Sequence, residues 1–292
     1  MKTTLLSLGL LAVAVIGPSP LLAAPAAAPA AAPVPAAARA NAPDPAVEIK
    51  HLAQLFRAGD LAGLAQGLTP RRQWEQARLA YEMQRNKPTS EAERARFAEK
   101  LQQFTAPDAV DQMMAKLEPE MARARPQAAG MLLMGMGALS VAVNSSDTQL
   151  TDAQREALRS ALPGIQRWVN STDFFSTASL RHALTVLTDA ARRTGITDID
   201  QLKALPLEGV LEQASPMLAA AKEAVRTYGV DLDAIADSLR VDVLERGADT
   251  ARVRTTITVF GAPVWAEHDL VLIDGHWYGK GVHVDLDEVA GL

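Results

Sequence analysis

The chain has 292 residues, with 29 Lys and Arg against 34 Asp and Glu, a formal net charge of −5 and a pI near 5.6. That balance excludes the basic footprint that nucleic-acid binding or polybasic membrane attachment requires. The absence of cysteine excludes disulfides, a thiol nucleophile and lipid attachment at a lipoprotein cysteine, so stability has to come from a hydrophobic core.

Residues 1–24 read as a secretory signal peptide: Lys2 supplies a cationic start, Leu5 to Ile16 is an apolar run, and Gly17 with Pro18 breaks it. A run of about a dozen residues is too short for a bilayer, which takes roughly 20. Cleavage is expected between 23 and 28, where small residues crowd together. Residues 25–45 are almost wholly alanine and proline; proline fixes φ and removes donors, so this segment reads as an extended, disordered linker. The expected location is the periplasm or outside the cell, as a soluble protein and not a lipoprotein. The rest, roughly 245 residues, suffices for a core.

Residues 46–239 read as a helical domain of about eight to ten helices. Ser90 and Glu93 have capping-box spacing, and so do Thr151 and Gln154. Prolines 70, 107, 119, 126 and 206 suit first-turn positions, where no N–H is needed. Glycines 59, 195 and 229 follow apolar-periodic runs and suit left-handed helix ends. The junctions "RRTGITDIDQL" and "RTYGVDLDAI" look alike; a shared way of ending one helix and capping the next explains them better than a repeat array. Paired arginines, such as Arg123 with Arg125, read as solvated helix faces.

The segment "GMLLMGMGALSVAV", 130 to 143, holds no charge. On a helical wheel Leu132, Met136, Leu139 and Val143 form one stripe, and Met131, Gly135, Ala138 and Ala142 a neighbouring, mostly small one. Helices apolar all round are buried or in lipid. At about 21 to 24 Å the run falls short of a bilayer core, so a buried central helix is expected, with another helix against the small stripe and no transmembrane segment in the mature chain. Met131, Met134 and Met136 turn to different azimuths, which disfavours copper(I) and leaves a methionine-lined apolar pocket as their candidate role.

Residues 240–292 change rhythm: "RVDVLE", "ARVRTTITVF", "VWAEHDLVLI" and "HWYGK" alternate in period two and are separated by turn residues. Val253, Thr255, Ile257 and Val259 share one face, and Arg252, Arg254, Thr256 and Thr258 the other, as in a sheet with one wet side. Asp274-Gly275 is a tight hairpin signal. The predicted fold is α+β: a mostly helical domain with a C-terminal four-stranded antiparallel meander packed on the helices as one folded unit.

His268, His276 and His283 lie close in sequence. A turn at Asp274-Gly275 puts Ile273 opposite His276 and places His268 on the other face; Asp269 shares the face of His276 but lies about 13 Å away. A metal site is disfavoured. The G-x-S-x-G, H-E-x-x-H and phosphate-loop motifs are missing, and the pairs Asp198/Asp200 and Asp231/Asp233 suit helix caps. No catalytic residue, metal ligand or cofactor is expected. Trp265, His276, Trp277 and Tyr278 form the candidate partner or ligand surface, with Trp265 on the face of Ile273 and His276 and Trp277 on the opposite one.

"ITVFGAPVWAEHDLVLIDGHWYGK" resembles the terminal meander of nuclear transport factor 2-like domains over about 40 residues, and the helices-then-meander order resembles a family of exported proteobacterial proteins. The resemblance implies a compartment and a fold and supplies no active-site residues. The function expected is non-enzymatic, binding or assisting an envelope protein. The alternatives are carriage of a small apolar ligand, or a hydrolase built from a histidine and carboxylates of separate segments.

Overall fold

The computed structural model describes residues 43–145 and 152–280. The expected signal peptide, most of the linker, Thr151, His283 and the part of the expected meander beyond residue 280 lie outside them. The described elements run α1 (Pro45–Ala58), α2 (Leu61–Leu68), α3 (Arg71–Arg85), α4 (Glu91–Thr105), α5 (Ala109–Asn144), α6 (Asp152–Ser171), α7 (Thr177–Arg193), α8 (Ile199–Ala204), α9 (Leu207–Arg226) and α10 (Leu232–Asp237), then β1 (Arg240–Arg246), β2 (Thr250–Val259), β3 (Ala262–Ile273) and β4 (His276–Gly279).

The class is α+β, with the four strands in the order β1-β2-β3-β4, each antiparallel to the next and packed on helices. Asp274 and Gly275 both take positive φ, 53° and 85°, the conformation a two-residue hairpin of this kind needs. A second such turn joins β2 to β3 at Phe260 and Gly261 (φ 51° and 80°). A phenylalanine is unusual there; its ring stacks on Trp168 at 4.8 Å, which helps hold the turn. The sheet's inner face carries Ala251, Val253, Leu270, Leu272 and Trp277, against which Ile49 of α1 packs.

Helix ends follow local chemistry. Ser90 and Glu93 form the full capping box, and Gly59, Gly195 and Gly229 have φ of 75°, 68° and 82°. The two similar junctions each end in such a glycine and start the next helix with an aspartate cap, Asp198 to the Gln201 N–H and Asp231 to those of Asp233 and Ala234. Pro70 and Pro206 stand one residue before their helices, a shift of the size by which helix boundaries differ.

Two expectations are corrected. Pro119 and Pro126 do not open helices; both lie inside the 36-residue α5. An interior proline frees the carbonyl four residues back, and here those carbonyls belong to Ala115 and Ala122, exposed like the prolines themselves, so water can take the missing bonds. The run 130–143 is not a buried central helix: Leu133 is 75% exposed, Met134 70%, Val141 68% and Met131 42%. The helix is apolar all round, but α4, α6 and α7 cover only one side of it. By length and composition α5 is able to cross a membrane, with a mean hydropathy of 1.4 over its most apolar 18 residues.

Candidate functional site: an uncovered apolar helix face

The sheet end separates the predicted residues as their alternation requires. Trp265 and His276 face outward, and Trp277 is buried at 5% exposure in the inner core. Its indole N–H donates to the Pro43 carbonyl at 2.8 Å, so this tryptophan is a packing residue rather than an open surface. Trp265 is half-buried beneath Arg254, whose guanidinium carbon lies 4.6 Å from the ring centroid while it pairs with Glu267. Arg252 pairs with Asp269. The outer face is thus covered by charge pairs, although the Arg254 Nε itself has no hydrogen-bond partner.

His276 Nδ1 donates to Glu48 of α1 at 2.5 Å. Tyr278 is half-buried, and its hydroxyl pKa is raised by burial first and then by the Glu48 and Asp274 carboxylates. On the opposite face His268 Nε2 lies 3.0 Å from the Thr255 hydroxyl, and burial lowers its pKa. Among the described residues no three His, Asp or Glu side chains group as a metal site. A hollow of about 400 Å³ between α10 and the β2–β3 turn is open to solvent, and Asp231, its carboxylate, is engaged as a helix cap.

The three predicted methionines part ways. Met131 and Met134 are exposed, and Met136 is half-buried on the other side of α5; they do not enclose a common cavity. The stripe Leu132, Met136, Leu139 and Val143 is the covered side, with Val143 fully buried. Gly135 and Ala138 of the small stripe are exposed, and a methyl group added at Gly130, Gly135 or Gly137 would meet nothing within 4 Å. What results is an uncharged helical surface running from Gln127 to Asn144, about 27 Å long.

Local sequence explains the helix: alanine, methionine and leucine dominate it and are all strong formers. Its covered side packs through Ala109, Met114, Ala128 and Val143, with exposed ion pairs alongside at one half, Asp111 with Arg181 at 2.6 Å and Arg125 with Asp173 at 3.3 Å. At the other end the Arg159 guanidinium donates to the Val143 carbonyl at 3.4 Å. These contacts hold one side to α6, α7 and the loop between them and leave the opposite side to water. Sequence reasoning passed over Leu133, Gly130, Gly137 and Val141; the available signal was three glycines inside an otherwise strong helix, which a tightly filled soluble core does not need.

Comparison with protein-family models, curated proteins and solved structures found no match.

Proposed function

We propose that the protein is an exported binding module without catalytic activity, which engages an envelope partner through the free face of α5. The observation that carries this reading is the contiguous exposure of Met131, Leu133, Met134 and Val141. Soluble monomers seldom expose apolar patches beyond a few hundred Å², and larger ones mark interaction sites. Methionine suits such a surface because its unbranched thioether adapts to the shape of what it meets. The outer sheet face offers weaker support, since its charges are paired with each other.

The test is site-specific photo-crosslinking in the native host, with a photoreactive residue at Met134 or Val141 and, as controls, at the exposed Glu212 or Arg193. Adducts of one defined composition at the α5 positions, absent from the controls, are expected. The same adduct pattern at all four positions would overturn the reading.

A further inference from the structure

Resting on that reading, we infer that the occupant of the α5 face is a second copy of this chain, packed antiparallel about a two-fold axis beside Gly135 and Met136. At 100° per residue, Arg123, Gln127, Gly130, Met134, Gly137, Ala138 and Val141 point away from the covered side, and all are exposed. A two-fold between 135 and 136 sets residues equidistant from it against each other. Met134 then meets Gly137, and Val141 meets Gly130. Each of these two large side chains finds a glycine. An interface of this symmetry uses the same patch twice and must be self-complementary; this patch is.

The charges agree with that direction. Arg123, exposed on the same face, would lie beside the carboxyl end of the other α5, where the last carbonyls carry the negative end of the helix dipole. A parallel pair would instead bring Arg123 against Arg123 and set methionine on methionine and glycine on glycine.

The glycines supply a separate argument. Gly130 and Gly137 weaken the helix relative to alanine, and a Cβ at either would sit in open space, so the single chain has no steric need of them. A second helix lying close does. Two faces about 27 Å long and about 11 Å wide make a contact at the small end of specific interfaces, which fits a weak dimer that forms only as concentration rises. A lipid surface would cover the same face without any need for the large-to-small order.

The test uses the full chain. Sedimentation velocity across roughly 1 to 100 µM, a range set by the expected interface size, should show a monomer–dimer equilibrium. Gly130→Leu and Gly137→Leu improve helix propensity and meet no neighbour in the monomer, so the fold should survive with an undiminished Tm while the dimer Kd rises about tenfold or more. Because the chain has no cysteine, a mixture of Gly130→Cys and Val141→Cys proteins should form the mixed disulfide on oxidation, while each alone stays largely uncrosslinked. Homodisulfides from each variant alone would mean a parallel pair and overturn the inference. A monomer at every concentration would overturn it too; position-134 adducts with another protein would then leave the binding reading standing, and absence of any adduct would remove both. Flotation of the monomer with vesicles of phosphatidylcholine and phosphatidylglycerol would assign the face to lipid and likewise overturn it.

Discussion

Glu48, in the first turn of α1, holds His276 at the start of β4: one carboxylate oxygen lies 2.5 Å from the imidazole Nδ1, and the other accepts the Trp277 backbone N–H at 2.8 Å. Residues 228 positions apart are thereby locked together at the edge of the sheet. Glu48→Ala should leave the Trp277 N–H, which is partly buried, without its acceptor and lower stability by about 1–3 kcal/mol. Urea unfolding of this variant beside His276→Ala separates the two bonds; the His276 change should cost less, because that side chain is mostly exposed.

Lys222 of α9 is 5% exposed and donates to the Phe56 and Arg57 carbonyls and to Asp233, the last at 2.6 Å. It closes the carboxyl end of α1, whose final carbonyls lack helical partners. Lys222→Ala strips three acceptors at once and should cost about 3 kcal/mol or more. Asp233→Asn should cost less, since Asp233 is partly exposed. Chemical denaturation of both single variants checks the order.

His268 is kept neutral by burial, which lowers its pKa from the ordinary value of 6.5. The unfolded chain takes up the proton more readily than the folded one, so the stability contributed by neutral His268 is fully present above about 6.5 and is lost as pH falls through the lowered folded value. Between those two values the unfolding midpoint in urea should fall as the solution is acidified, and His268→Gln should flatten that dependence. An identical slope in both proteins would assign it to other groups.

Glycine to alanine should have opposite effects at two helical sites. In α6 a Cβ at Gly164 would come within 2.6 Å of the Phe260 Cβ, where the helix lies against the β2–β3 turn; Gly164→Ala should destabilise by about 1–3 kcal/mol. In α5 the space at Gly135 is open, and Gly135→Ala should stabilise by roughly 0.5–1 kcal/mol. Thermal melts at a concentration where the protein is monomeric distinguish the two signs.

Local signals carried much of the fold. The Ser90 box, the left-handed Gly195 and Gly229, the Asp274-Gly275 turn and the face assignments of Trp265, Trp277, His268 and His276 all depend on a few neighbouring residues, and period-two alternation leaves little freedom once a turn is placed. The exposure of α5 was not legible for a physical reason: an apolar helix reads the same whether its neighbours belong to its own chain or not. Pro119 and Pro126 misled because proline at a solvent-facing interior position costs less than the rule of first-turn placement implies. The Glu48–His276 and Lys222–Asp233 pairs depend on how distant segments meet, and local pattern does not contain that.

The bond from the Trp277 indole to the Pro43 carbonyl has a mechanical consequence. It pins the point where the alanine-proline segment joins the folded body onto β4, which among the described residues is four residues long and pairs with β3 at four positions. Tension applied through that segment would enter α1 at Pro45 and, through this bond and the two Glu48 bonds, the short β4 ladder together. Under load, therefore, the start of α1 and the edge of the sheet would resist as one clamp rather than yield separately.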